Sequence, residues 1–275
     1  MLEHHPRRYR ILDKQPLRPP SRAGGDHRLR FRFRETFQNL LLACPVPCCE
    51  VRDGSNQEIY TYLHCGADEV AAVKAWLASL EQLVVCRDLL AVSLALDYDR
   101  EDGDPKKPST TVATLRKDGK PYDRLPTNAT FAAAEQIVAL MLDTIGRVAA
   151  YREVDIVVPM PPSSPTKAYD LPRLLARDLA LGMRRQDGTS LIRTTRDRAQ
   201  AKNLSVHQKL DAIGGTVAID AAAVRDRTIL LVDDLYQSGA SINYVAMTLQ
   251  QAGARAILGL AAEKTCRNDD NTVRP

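Results

Sequence analysis

No apolar run in this 275-residue chain approaches the roughly 18 residues of a bilayer-spanning helix. The opening MLEHHPRRYR also lacks the apolar stretch of a secretory leader. These absences set aside a membrane protein and lead to the expectation of a cytoplasmic one. Charge of one sign is not in excess either: 38 Lys and Arg against 34 Asp and Glu leave +4, too small a surplus to imply nucleic acid by itself. No internal repeat is present, so a repeat array is excluded. With 44% hydrophobic and 26% charged residues, the composition suits a globular chain that buries one ordinary core with a smaller appended unit.

The most informative stretch is Ile229 to Ser241, ILLVDDLYQSGAS. Thr228 to Val232 reads as a central parallel strand buried on both faces. From Ser241 the residues Ile242, Val245, Ala246 and Leu249 have helical spacing, which Gly253 stops. The loop between them sits where a strand ends and a helix begins, and there unpaired backbone N–H groups and the helix dipole favour an anion. Gln237, Ser238 and Ser241 add polar side chains, and Gly239 lets the backbone approach a phosphate. A phosphate in that loop leaves Asp233 and Asp234 facing the attached group. The bland alternative, in which the acids cap a helix or hold a metal, fits the acid pair alone but not the whole pattern.

Four apolar residues, two acids and a hydroxyl-rich stretch closing on Gly-Ala-Ser resemble the phosphoribosyl pyrophosphate (PRPP) motif of type I phosphoribosyltransferases. The resemblance implies that Asp233 and Asp234 contact the ribose hydroxyls and that Gln237, Ser238, Gly239, Ala240 and Ser241 hold the 5′-phosphate. Mg²⁺ would sit against Asp233 and Asp234, in part through water. Gln237 departs from the pattern, since the family usually has Thr or Ser there. A second unit agrees by position: Val154 to Met160 reads as a strand, Pro159 to Lys167 as its following loop, and Asp170 to Met183 as a helix. In the family that loop binds pyrophosphate, which implies roles for Ser163, Ser164 and Lys167. Read alone, it is a Pro-rich turn joining strand to helix.

Between these units, Ser190 to Asp220 carries Arg193, Arg196, Arg198 and Lys202, where the family has a mobile catalytic loop. The same stretch resembles the competence-protein ComF-like branch, with Gln200, Leu204 and Ser205 on that branch's pattern. A solvated Arg face is the alternative. The resemblance covers about Val154 to Lys264. It implies an α/β fold of the type I phosphoribosyltransferase kind, with a parallel sheet flanked by helices and a divergent N-terminal extension. The expected division is residues 1–128 for the extension and 129–275 for the core. The implied activity transfers phosphoribose from PRPP to an unknown acceptor, a nucleobase or nucleotide, with release of pyrophosphate. The alternative is a non-catalytic PRPP or nucleotide sensor, or an effector subunit, since ComF-like domains are linked to DNA uptake and to bacterial antiviral defence of the retron kind.

The cysteines add a separate question. Cys44, Cys48, Cys49 and Cys65 cluster beside His64, but the two Cys-x-x-Cys pairs of a zinc ribbon are missing. Buried free thiols are the expectation, with a zinc site of Cys44, Cys48 or Cys49, His64 and Cys65 as the alternative; Cys86 and Cys266 read as ordinary packing or surface residues. In the N-terminal half, Leu29, Phe31 and Phe33 alternate with Arg28, Arg30, Arg32 and Arg34, which predicts a strand with an Arg face. Such a face suits solvent or a protein contact, with the phosphates of a nucleic acid as the alternative. Val70 to Val85 reads as a helix carrying Trp76, Leu90 to Tyr98 as a strand, and Thr130 to Ala150 as a long helix. Glu101 to Thr127 looks too polar for a core. No nucleobase hood is recognisable, so an acceptor pocket falls to the N-terminal half or to a partner, with homo-oligomer formation open and no membrane contact expected.

Overall fold

Five strands of the main sheet run parallel, and their apolar runs explain why both of its faces are covered. The computed structural model describes residues 8–10, 18, 26–31, 36–46, 50–53, 61–86, 88–121, 125–197 and 206–266. In chain order the first half holds β1 (Arg8–Arg10), β2 (His27–Phe31), α1 (Phe37–Leu42), β3 (Glu50–Asp53), β4 (Thr61–Cys65), α2 (Val70–Ser79), β5 (Val84–Cys86) and β6 (Val92–Tyr98). Two helices follow, α3 (Thr111–Asp118) and α4 (Asn128–Arg147). The next units are β7 (Ile156–Pro159), α5 (Leu171–Met183), β8 (Gln186–Asp187), β9 (Ile192–Thr194), α6 (Val206–Ile213), β10 (Val217–Ile219) and α7 (Ala221–Val224). The chain then forms β11 (Thr228–Tyr236), α8 (Ala240–Gln251) and β12 (Ala256–Lys264).

The main sheet has the order β1-β5-β6-β12-β11-β7-β8. Strands β6, β12, β11, β7 and β8 are mutually parallel, whereas β5 is antiparallel to β6 and β1 to β5. Alternate side chains of each central strand enter different cores. Leu230 and Val232 join Leu258, Leu260, α4 and α5 on one face, and Ile229 and Leu231 join Ile257, Ala261 and α8 on the other. A strand buried on both sides needs a continuous apolar run, as Thr228 to Val232 supplies. Helix α4 is long and apolar enough to cross a bilayer by length and composition alone. Here its stripe of Ala134, Ile137, Val138, Met141 and Ile145 is buried in the first core.

Several expectations hold. Helices α4, α5 and α8 and strand β7 lie close to their predicted bounds, β11 starts at Thr228 as expected, and β7 pairs directly with β11, Ile156 opposite Ile229 and Pro159 opposite Val232. Strand β2 has Leu29 buried with Arg28 and Arg30 exposed, within a three-stranded antiparallel sheet of order β2-β4-β3. Phe33, Arg32 and Arg34 lie outside the described residues.

Other expectations are corrected. The helix read over Val70 to Val85 ends at Ser79, and Val84–Cys86 is a strand, because β-branched residues there pair with β6. The stretch Glu101 to Thr127, read as too polar for a core, holds α3 with Val112, Ala113 and Arg116 buried. Strand β6, from the first 128 residues, hydrogen-bonds β12 near the other end of the chain. Strand β11 also continues past Val232 to Tyr236, so the acid pair lies within it rather than after it.

A candidate anion site at the sheet's switch point

From β7 the chain crosses through α5 to β8, outward in one direction; from β11 it crosses through α8 to β12 in the other. The two helices cover opposite faces, α5 in the first core and α8 in the second. Between β7 and β11 the connections therefore diverge, and their loops leave a crevice at the carboxyl ends of the strands, where open α/β sheets take ligands. Met160 N–H donates to Val232 O at 2.7 Å, carrying the pairing to the start of the first loop. Ser163, Ser164 and Lys167 follow on that loop, and Gln237 to Ser241 on the other.

The second loop turns tightly. Gly239 precedes α8 with φ 76°, and a Cβ there would lie 2.4 Å from Tyr236 Oη; both the sign of φ and the close approach require glycine. Ala240 N–H donates to Ser238 Oγ at 3.4 Å, and Asn243 Nδ2 to Gly239 O at 2.9 Å. Ser238, Gly239 and Ala240 are buried, Gln237 is exposed and Ser241 half-buried. Segment 88–90 brackets this loop, a contact the sequence did not reveal: Tyr236 Oη donates to Asp88 Oδ2 at 3.1 Å, and Leu89 N–H to Asn243 Oδ1 at 2.9 Å.

The acid pair has an unexpected setting. Asp234 is 4% exposed and faces α3, while its N–H donates to Asp233 Oδ1 at 2.8 Å. Lys120 Nζ donates to Asp234 Oδ2 at 2.5 Å, Arg116 Nη1 lies 3.8 Å from the same oxygen, and Arg116 Nε is 2.8 Å from Glu263 Oε2. Four charged side chains thus form one connected quartet. Its geometry follows from α3: Thr110 Oγ1 accepts from Ala113 N–H to cap the start, Gly119 N–H closes the end on Leu115 O, and Arg116 falls on the same face as Val112 and Ala113. Tyr169 Oη donates to Gly119 O at 2.8 Å, so the end of α3 is also tied to the loop after β7.

Burial dominates the titration of these groups. It holds Asp233 well above the ordinary carboxylate range, and the charge of Asp234 adds to the rise while Lys120 opposes it. Glu263 is raised by burial against the lowering effect of Arg116. For Lys120, burial opposes the charged form, yet the charge and hydrogen bond of Asp234 outweigh it and raise the pKa. The Tyr169 phenol is pushed up to about 12, by burial first and then by Asp170 and Asp234.

The remaining expected site residues are only partly brought together. Ser163 is exposed, Ser164 Oγ lies 3.0 Å from Thr166 Oγ1, and Lys167 Nζ pairs with Asp170 Oδ1 at 2.8 Å. Arg193 is exposed on the β9–β10 hairpin, whose Thr194 Oγ1 donates to Pro162 O and so ties it to the first loop. Arg196 Nη2 instead donates to Gly214 O at 3.1 Å. Arg198, Gln200, Lys202, Leu204 and Ser205 lie outside the described residues. Arg116, Lys120 and Glu263 were missed. The signal for the first two was a Thr cap followed by Val112 and Leu115 at helical spacing, inside a stretch whose overall polarity concealed it.

Magnesium takes open carboxylate oxygen, and here one oxygen of each acid is already engaged: Asp234 Oδ2 is shared by two cations and Asp233 Oδ1 accepts a backbone N–H. Among the described residues no three His, Cys, Asp or Glu side chains converge as a metal centre. For the zinc alternative, Cys44 is half-buried and Cys65 buried, His64 Nδ1 lies 3.9 Å from Asp26 Oδ2, and Cys48 and Cys49 lie outside the described residues. Cys86 and Cys266 are buried, and the Cys266 thiol donates to Asp99 Oδ1 at 2.7 Å.

No protein-family profile matches the chain, and no curated protein matches it in sequence. Among solved structures, it is similar to a hypoxanthine phosphoribosyltransferase from Staphylococcus aureus, with TM-score 0.27 and 10% identity over 56% of this chain and 74% of that one. The chain's class is mixed α/β, with a mostly parallel central sheet flanked by helices.

Proposed function

We propose that the protein binds PRPP in the crevice between β7 and β11 and transfers its phosphoribosyl group to an acceptor, releasing pyrophosphate. The observation that supports this is the divergence of the α5 and α8 crossovers beside the acid pair, joined with the PRPP-like sequence of the β11 loop. In this reading Gln237, Ser238, Gly239, Ala240 and Ser241 hold the 5′-phosphate, with the N-terminus of α8 adding its dipole. Asp233 and Asp234 orient the ribose hydroxyls. Ser163, Ser164, Lys167, Arg193 and Arg196 take the pyrophosphate, which requires Lys167 to leave Asp170 and Arg196 to leave Gly214 O.

The reaction breaks the C1–O bond to pyrophosphate, and the bonding electron pair leaves with the pyrophosphate. A nucleophilic atom of the acceptor forms the new bond to C1 and loses its proton. Positive charge gathers on the ribose ring, as in glycoside cleavage, and negative charge on the leaving group. A site of this kind works mainly by positioning and fixed electrostatics. In this reading Asp233 and Asp234 lie on the sugar side, and the Lys167, Arg193 and Arg196 cations lie on the leaving-group side.

A second reading, PRPP or nucleotide sensing without turnover, is favoured by the connected Asp234 quartet, which holds the acid in place but engages one of its oxygens. Calorimetric titration with PRPP, followed by pyrophosphate release across a panel of nucleobases and nucleotides, separates the two. Binding with acceptor-dependent release supports the transferase, and binding without release in any mixture supports the sensor. No binding of PRPP overturns the transferase and the PRPP sensor, and no binding of the nucleotides titrated alone overturns the nucleotide sensor as well.

A further inference from the structure

We infer that Lys120 is the resident cation of this pocket and that PRPP binds there without a divalent metal. The inference rests on the PRPP reading above and concerns what holds the ligand's charge. Lys120 Nζ, Arg116, Asp234 and Glu263 are two cations on two carboxylates, joined at 2.5, 3.8 and 2.8 Å. The formal charges of these four side chains balance, and the one further acid beside them, Asp233, accepts the Asp234 N–H through Oδ1. Magnesium takes near-octahedral oxygen at about 2.1 Å, and one of the two Asp234 oxygens, Oδ2, is already shared by an ammonium and a guanidinium. Placing a third cation there meets repulsion from both.

The two cations differ in what they can reach. The Arg116 side chain is 7% exposed and spans between Glu263 and Asp234, whereas the Lys120 side chain is 24% exposed. Only the ammonium therefore has a surface to present to a ligand. Its position is also held from both sides of the crevice. Gly119, the residue before it, accepts the Tyr169 hydroxyl from the loop after β7, and Nζ is bonded to Asp234 on β11. An ammonium with three donors, one of them on Asp234, has donors left for phosphate or hydroxyl oxygens. Lysine in this place supplies a compact point charge, the role a metal would otherwise fill.

The test is calorimetric titration of the full chain with PRPP, once in excess Mg²⁺ and once in EDTA. The expected result is a Kd that agrees within about threefold between the two conditions, a difference under about 0.7 kcal/mol. Binding that disappears in EDTA and returns with Mg²⁺ overturns this inference and leaves the PRPP reading standing. Absence of binding in both conditions overturns the PRPP reading and this one with it. Lys120→Met, checked for native circular dichroism, is expected to weaken PRPP at least about tenfold in EDTA, and Lys120→Arg to keep most of the affinity. A folded Lys120→Met protein with unchanged metal-free affinity overturns the inference. If that variant does not fold, the two wild-type titrations decide.

Discussion

Replacing Arg116 by Met tests the quartet most directly, because it removes charge while keeping an unbranched side chain of similar length. Arg116, Glu263 and Asp234 have side chains 7%, 3% and 6% exposed. At a separation of about 4 Å and an effective dielectric near 20, each unit pair is worth about 4 kcal/mol before desolvation is counted. Breaking a buried pair from one side leaves an uncompensated charge and costs about 3–5 kcal/mol. The cost is pH-dependent, and its sign follows from Glu263. That carboxyl already lies above its ordinary 4.5 in the folded protein, raised by burial while Arg116 pulls it down; without Arg116 it rises further. An acid with a raised folded pKa binds its proton preferentially in the folded state. Stability is then retained below the unfolded value and lost as pH rises through the folded one.

The full penalty should therefore appear near pH 8 and shrink toward about pH 5, by up to about 1.4 kcal/mol per pH unit for one proton. Urea unfolding followed by circular dichroism across that range measures it. Adding Glu263→Gln to Arg116→Met removes the stranded carboxylate and should recover more than half of the loss. A loss below about 1 kcal/mol near pH 8, or an equal loss at both ends of the range, would refute the reasoning.

Three further outcomes are expected. Asp233→Asn should stabilise the fold above neutral pH, because the wild-type carboxyl, raised by burial and by Asp234, must ionise there at a cost; the advantage should vanish toward about pH 4, and a variant equally or less stable near pH 8 contradicts the assignment. Gly239→Ala should cost about 2 kcal/mol or more, since φ is 76° and the new Cβ meets Tyr236 Oη at 2.4 Å; an unchanged melting temperature would show that the loop is not held as described. Arg193→Ala with Arg196→Ala should leave stability within about 0.5 kcal/mol, both side chains being exposed, yet weaken PRPP more than ribose 5-phosphate, a comparison read by calorimetry. Equal weakening of both ligands would place these arginines away from the pyrophosphate.

Local chemistry determined much of this protein. Apolar runs bounded by helix-spaced segments were enough to place β7, β11, α4, α5 and α8, because a strand buried on both faces and an amphipathic helix each leave a periodic trace. The β11 loop was legible for the same reason: Gly239 and its polar neighbours are needed by a turn formed within a few residues. Tertiary structure decided the rest. Whether β5 and β6 belong with the C-terminal strands depends on edge pairing across more than 150 residues, as between Leu94 and Leu260, and no local pattern carries that. Arg116 and Lys120 sit in a stretch whose average polarity hides a capped helix, and their importance arises only when the sheet brings Asp234 and Glu263 against them. The acid pair was visible as two adjacent carboxylates. That one of them lies in a connected ion quartet, and the other is raised by burial, are facts of packing, since the cost of a charge depends on what surrounds it in space.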